Sequence, residues 1–211
     1  MRPGRVALDV TRDMQELLLS NLERTSKEVT HALEAFFGAR TVMARLRGTG
    51  EVSTKAAQEL GFVGMAARAS GIAVDVRQDH PTAWYREHAI ESASERTGDA
   101  LARSLVRRSE IERSLAYVQQ QIASLPSGSV EIPIPRAAGA NHFVVALTEG
   151  WRGEVAHVAL TGADGTFYRY KLTDPSFHNW TALALAMRGQ QISDFPLCNK
   201  SFNLSYCGFD L

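Results

Sequence analysis

Two long stretches of the chain repeat apolar residues every three or four positions, with charged residues between them. The first runs from Val6 to Phe37 and the second from Thr97 to Leu125. This spacing places the apolar side chains on one face of an α-helix. Asp99 suits the start of the second helix, and Gly38 and Pro126 suit the helix ends. Since such helices need a surface to pack against, the sequence predicts a helical core.

Shorter patterns add a small sheet to this core. Further helical signals lie at 41–46, 53–60 and Phe177–Arg188, the middle one beginning at a capping serine, Ser53. Alternating or apolar runs that predict strands lie at 142–148, 154–161 and 166–172. The predicted fold class is therefore mainly α with a small antiparallel β element, that is, α+β.

The order of these elements predicts one domain over residues 1–211. Its predicted parts are a helical core over 1–128, a small β-sheet insertion over 129–175, and a C-terminal helix with a buried tail over 176–211. A linker with two prolines, Ile132–Pro135, leads into the insertion.

Composition excludes several classes of protein. The chain of 211 residues has 23 basic and 23 acidic side chains, so it has no net charge to attract nucleic acid or an anionic membrane surface. No uninterrupted apolar stretch approaches the roughly 20 residues that cross a bilayer. Cys198 and Cys207 are too few for a disulfide framework, so we expect two buried or half-buried thiols and a reducing cytoplasm. The histidines show no metal-ligand spacing.

The segment Gly61–Pro81 is apolar, yet three glycines interrupt it, so we expect an irregular buried loop. A buried loop must satisfy its backbone polar groups with side chains. Arg68, Ser70, Asp75 and Arg77 are suited to that task. Two interpretations are open, a structural loop braced by an Asp–Arg pair and a lining for a functional cavity.

Five segments occur in a characteristic order. They are RPGRV, LGFVGMAARASGIAVDVRQDHP, GD-x-x-AR-x-x-x-R followed by Glu110 and Ser114, EGWRGE, and a terminal DFPLCNKSFNLSYCGFDL. In this order they resemble the large subunit shared by respiratory complex I and the membrane-bound nickel–iron hydrogenases, especially the formate hydrogenlyase type. The resemblance covers essentially the whole chain and implies a hydrogenase-like helical core. Family members continue upstream, so the chain resembles the C-terminal portion, from a truncated or a split subunit.

The resemblance also indicates how the metal site differs. Hydrogenases of this family end in Asp-Pro-Cys-x-x-Cys, whose thiolates bind nickel and iron. The matching positions here are Asn203 for the aspartate, and Ser205 and Gly208 for the two cysteines. A hydroxyl is a poor ligand for this soft metal pair and glycine supplies none. Cys207 lies one residue from the second position. We therefore expect no nickel–iron centre and no metal ligands in this chain.

The hydrogenase segment Glu-Ala-Pro-Arg-Gly-Glu matches 149–154, which places Arg152 at the arginine above the catalytic cavity. By resemblance, the cavity candidates are Arg152, Arg68, Asp75, Arg77 and Asp210. The alternative for Arg152 is a structural ion pair with a buried acid, either Asp75 or Asp210.

The function implied is a subunit of an NAD(P)H- or formate-linked quinone oxidoreductase or hydrogenase-like complex, inactive alone. This chain would line a cavity for a quinone or another acceptor beside an iron–sulfur cluster of a partner subunit. NAD would bind elsewhere in the complex. Expected partners are the iron–sulfur small subunit, the missing N-terminal part and, indirectly, membrane subunits, on the inner face of the cell membrane. The alternatives are a nickel–iron hydrogenase catalytic subunit and a non-enzymatic scaffold or remnant.

Overall fold

The computed structural model describes residues 9–126 and 138–207, and two long helices dominate it. Helix α1 spans Arg12–Gly38 and α7 spans Ala100–Ala123. Both predicted helices are confirmed, with later starts. Thr11 accepts a hydrogen bond from the Met14 amide, which fixes the first turn of α1, and Asp99 does the same for α7 through the Ala102 amide.

Five short helices connect the long ones. They are α2 (Arg40–Leu46), α3 (Thr54–Glu59), α4 (Gly64–Ala69), α5 (Val76–Asp79) and α6 (Ala83–Glu87). The expectation of an irregular loop over Gly61–Pro81 is wrong, because α4 and α5 lie inside it. The run Met65–Ala69 consists of residues that favour helices, and it follows a glycine with φ of +60° at Gly64.

The predicted antiparallel sheet is confirmed. Strands β1 (Phe143–Gly150), β2 (Gly153–Thr161) and β3 (Phe167–Thr173) pair in the order β1-β2-β3. Glu149 pairs with Glu154 across the tight turn between β1 and β2. This turn faces α4, and the rest of β1 contributes exposed apolar side chains such as Phe143, Val144 and Val145.

The C-terminal elements close the core. Helix α8 spans Pro175–Ala186, a short 3-10 turn spans Ile192–Asp194, and α9 spans Phe195–Phe202. The two C-terminal helical elements after α8 were not predicted. Cys198 is buried, whereas Cys207 is exposed, so the expectation of two buried or half-buried thiols is wrong for Cys207.

The main hydrophobic cluster lies between α3, α4, α8 and α9. Its larger members are Phe62, Leu183, Phe202 and Leu204. A second cluster joins α4 to α7 through Met65 and Val106. All six residues of α4 are buried, so this short helix lies inside the core. The proposed internal boundaries at 128/129 and 175/176 stay a prediction, and the linker Ile132–Pro135 lies outside the described residues.

Candidate functional site

Arg68 lies at the centre of a buried charge cluster. Its side chain is 2% exposed, and its Nη1 donates to Glu149 Oε1 at 2.8 Å and to the Val74 carbonyl at 2.9 Å. The same Nη1 is 3.7 Å from Asp75 Oδ2. On the other side, Arg68 Nε is 2.8 Å from Glu110 Oε1, an electrostatic contact that leaves both atoms without a hydrogen-bond partner. One guanidinium on α4 therefore joins carboxylates from α7, β1 and the start of α5.

Arg77 forms the second cation of this cluster. Its Nε and Nη2 donate to the two carboxylate oxygens of Asp75 at 2.9 and 2.6 Å. Burial alone would raise the pKa of Asp75, but the hydrogen bonds and charge of Arg77, with the charge of Arg68, bring it below its ordinary value. The bidentate pair thus holds an ionised carboxylate inside the protein.

Glu149 behaves differently from Asp75. Its side chain is 4% exposed, and burial raises its pKa above the ordinary value, against the opposing charge of Arg68. Its Oε2 accepts a hydrogen bond from the Val76 amide at 3.2 Å. Glu149 is therefore the carboxylate for which burial outweighs the stabilising contacts.

Two cavities flank this cluster. The first has a volume of about 310 Å³ and combines charged side chains with an apolar wall. Its lining includes Arg68, Arg77, Arg107, Glu110, Glu149, Met65, Ile111 and Trp151. The second cavity, of about 270 Å³, is lined by four carboxylates, Asp75, Asp79, Glu149 and Glu154, together with His80 and apolar residues.

A second group of arginines binds the C-terminal segment. Arg103 is 1% exposed and donates to Ser201 Oγ, Gly98 O and Gly50 O at 2.8, 2.7 and 3.0 Å. Its guanidinium carbon lies 4.0 Å from the centre of the Phe202 ring. Burial lowers the pKa of Arg103 to about 10. Arg103 therefore does not lie on a solvated face of α7, because its acceptors are a serine hydroxyl and two backbone carbonyls inside the protein.

Arg107 and Arg152 extend this group. Arg107 donates to the carbonyl oxygens of Ser201 and Phe202, and burial lowers its pKa to about 10. Arg152 Nε donates to the Asn203 carbonyl. The alternative that pairs Arg152 with Asp75 is not what the structure shows, since Asp75 binds Arg77.

The structure thus brings Arg68, Asp75 and Arg77 together. It places Arg152 against Asn203, in the segment that the resemblance aligns with the hydrogenase metal motif. Ser205 lies in that segment, where its amide donates to Ser176 Oγ at 3.0 Å and its hydroxyl to the Cys207 carbonyl at 2.6 Å. Gly208 and Asp210 lie outside the described residues. Within 9–126 and 138–207, no group of three or more His, Cys, Asp or Glu side chains is arranged to hold a metal ion.

Sequence reasoning did not assign three residues of the site, Glu149, Glu110 and Arg107. Arg107 and Glu110 lie on α7 beside Val106, which is 0% exposed. A charged residue next to the buried stripe of an amphipathic helix is a usable signal, because a buried charge needs partners.

Comparison of the chain with known protein families identifies a class of respiratory protein. Residues 1–142 match the family model described as "Respiratory-chain NADH dehydrogenase, 49 Kd subunit". The chain therefore belongs to this family, and the resemblance seen in the sequence is confirmed.

Individual relatives come from both branches of that resemblance. The chain is 30% identical to the carbon monoxide-induced hydrogenase of Rhodospirillum rubrum, a match that covers 96% of this chain and 56% of the relative. It is 27% identical to formate hydrogenlyase subunit 5 of Escherichia coli, covering 96% of this chain and 36% of the relative. It is 30% identical to a subunit of the NADH-quinone oxidoreductase of Deinococcus radiodurans, covering 85% of this chain and 50% of the relative.

A solved structure shares the fold. It is described as the membrane-bound sulfane sulfur reductase, an archaeal respiratory membrane complex, with a TM-score of 0.90, 26% identity and coverage of 99% of this chain and 58% of that chain. The chain thus spans about half the length of the relatives it matches. No helix within the described ranges has both the length and the apolar character to cross a membrane.

Proposed function

We propose that this chain is part of the large subunit of a complex I-like or formate hydrogenlyase-like oxidoreductase. In that subunit it would form the wall of the cavity that binds the electron acceptor. The observation that carries the proposal is the first cavity, whose volume is about 310 Å³. That size is at the lower end for small-molecule sites. Electrons would arrive from an iron–sulfur cluster in a partner subunit, since this chain supplies the cavity and not the redox centre.

The lining suits a quinone or a similar acceptor. Met65, Ile111 and Trp151 provide an apolar wall for a ring, and Arg77 and Arg107 border the same space. A guanidinium donates in a fixed planar geometry to carbonyl or carboxylate oxygens. The site therefore combines an apolar wall for a ring with guanidinium donors for the oxygens of that ring.

The residues at the positions of the metal ligands support the absence of a nickel–iron centre. At the positions that match the ligands of the hydrogenases stand Ser205 and Gly208, and the Ser205 hydroxyl donates to a backbone carbonyl. Thiolates are the ligands that such a metal pair requires. The residues present do not fit the metal centre, so the proposed chemistry involves none in this chain.

Exposed apolar surfaces support a place in a larger assembly. Helix α1 contains no buried residue although its sequence is amphipathic, and Leu17 on it is 62% exposed. Such surfaces mark sites of protein contact. We propose that the part of the large subunit present only in the longer relatives covers α1, and that the iron–sulfur protein of the complex binds nearby. Membrane subunits would hold the assembly on the inner face of the cell membrane.

The test is metal analysis of the tagged chain purified with its natural partners, followed by reduction of a soluble quinone analogue. We expect iron without nickel, and reduction that depends on the partners. Nickel near one atom per chain would favour the hydrogenase catalytic subunit instead, a candidate suggested by the hydrogenase relatives. Absence of both metals and of any retained partner would overturn the proposal and favour a scaffold or remnant.

A further inference from the structure

Glu149 is positioned at the boundary between the cavities. Glu149 is one of the residues that line both of the large cavities and also a smaller one of about 50 Å³. It stands at the end of β1, immediately before the turn to β2. Its position is defined by two hydrogen bonds, from Arg68 Nη1 and from the Val76 amide. A carboxyl group placed in this way can be reached from either cavity.

The two cavities offer different surroundings to this carboxyl group. The first presents Met65, Ile111 and Trp151 and is the site proposed for the acceptor. The second presents Asp79 and His80, both of which are exposed to solvent. Groups that exchange protons with water therefore lie on one side of Glu149, and the acceptor would lie on the other.

The cluster also favours a bound proton. Glu149 Oε1 and Asp75 Oδ2 both lie within 4.0 Å of the same Arg68 nitrogen, at 2.8 and 3.7 Å, and Glu110 contacts the other side of that guanidinium. Like charges held this closely are relieved when one carboxylate takes a proton. Asp75 is fixed in its ionised form by Arg77. Glu149 has no second guanidinium among the ion pairs of the described residues.

We infer that Glu149 is a proton-transfer residue that carries protons from the second cavity to an acceptor reduced in the first. The inference rests on the proposed function, which supplies the acceptor and its electrons. When the acceptor, a quinone or another carbonyl compound, has gained electrons from the partner cluster, its anionic oxygen takes the proton of Glu149. The O–H bond of the carboxyl group breaks, its electron pair stays on the carboxylate, and Arg68 stabilises that charge. The carboxylate then regains a proton from water through the second cavity.

Burial raises the pKa of Glu149, which brings its proton affinity closer to that of a reduced acceptor. The charged and titratable groups that face it come from every element packed around β1. They are Arg68 on α4, Asp75, Arg77, Asp79 and His80 in and beside α5, Tyr85 on α6, Arg107 and Glu110 on α7, and Glu154 on β2.

The first test measures the proton directly on the unmodified chain. Glutamate labelled with ¹³C at the side-chain carboxyl carbon is followed by NMR as the pH is raised, and the Glu149 signal is assigned as the one lost in Glu149→Asp. We expect Glu149 to titrate clearly above the ordinary glutamate value of about 4.3. A midpoint at or below that value would overturn the inference.

The second test uses the complex purified with its partners. Glu149→Gln keeps the size of the side chain but removes the proton, and we expect quinone-analogue reduction to fall by about 100-fold. Glu149→Asp should restore part of the rate with a shifted pH profile, which a merely structural role would not produce. The matched control is Glu112→Gln, on the exposed surface of α7, and it should leave the rate unchanged.

The outcomes separate the two proposals. Full activity of Glu149→Gln with an unchanged pH profile would overturn the proton-transfer role and leave the proposed function intact. A complex that reduces no acceptor, together with a raised midpoint for Glu149, would refute the proposed function and leave a proton-binding carboxyl group.

Discussion

The contact between α4 and the β1–β2 turn gives the sharpest prediction about stability. Gly64, with φ of +60°, lies against Gly153, with φ of +133°. A Cβ atom on Gly64 would lie 2.2 Å from Gly153 Cα and 2.5 Å from the Arg152 carbonyl oxygen. These neighbours are backbone atoms, so they have no flexible side chain that could move away. We therefore predict that Gly64→Ala strongly destabilises the protein.

The size of the effect follows from two contributions. An alanine with left-handed backbone geometry costs about 1 kcal/mol, and forcing extra volume into a packed contact costs about 1–3 kcal/mol more. The expected loss for Gly64→Ala is therefore about 2–4 kcal/mol. Gly61 provides the matched control, because its φ is +64° and a Cβ atom added there would meet nothing within 4 Å. Gly61→Ala should lose only the first contribution, about 1 kcal/mol.

The assay is urea denaturation of the full chain, followed by far-ultraviolet circular dichroism. The free energies of unfolding of both variants are compared with that of the parent. The comparison requires the same dependence of the free energy on urea concentration, since a changed slope would indicate an altered denatured state. Equal losses for the two variants would refute the reasoning, because the steric contact would then contribute nothing. A Gly64→Ala variant as stable as the parent would refute the close approach itself.

Three further predictions concern the buried charges and the thiols. Arg103→Met should lower the free energy of unfolding by about 2–4 kcal/mol, because buried acceptors lose their donor. Arg108→Met, at a half-buried side chain that is 37% exposed, should cost less than about 1 kcal/mol in the same urea assay; similar losses would contradict the burial argument. Since the pKa of Asp75 is lowered in the folded state, its ionised form stabilises the protein above about pH 4 and this contribution is lost as pH falls through the lowered value. Asp75→Asn should therefore be destabilised at pH 7, and its difference from the parent in thermal unfolding should shrink in acid; a difference independent of pH would argue against the ion pair. A chromogenic disulfide reagent should modify Cys207 in the native protein and Cys198 only after denaturation, because Cys198 is buried and burial raises its pKa; rapid reaction of two thiols would contradict this.

The helices and the sheet were predictable because their signals are local. The periodicity of α1 and α7, the caps Ser53 and Asp99, and the alternation of the strands each act within a few residues. Helix α4 could not be predicted because its six residues are too few to establish a period, and because a helix of this length is stabilised by its burial in the fold.

The site was only partly predictable, since its contacts join distant segments. The pair of Asp75 and Arg77 is separated by two positions, and the sequence pointed to it. The ion pair of Arg68 with Glu149 spans 81 positions, which no local pattern reveals. The burial of Arg103 is hidden from local patterns for the same reason, because a backbone carbonyl and a serine hydroxyl that accept its hydrogen bonds lie far away along the chain.

The hydrogen bonds from three arginines to residues 201–203 have a consequence for folding during synthesis. Arg103 and Arg107 of α7 and Arg152 of the β1–β2 turn bind acceptors that leave the ribosome about 50 to 100 residues later than they do, judging from separations of 98, 94 and 51 positions. Until then all three guanidinium groups lack their acceptors at residues 201–203, although the Gly50 and Gly98 carbonyls that bind Arg103 are already present in the nascent chain. The arrangement delays final closure of the cavity wall until residues 201–203 have been made, so a chain stalled before residue 201 should remain a target for chaperones and proteases.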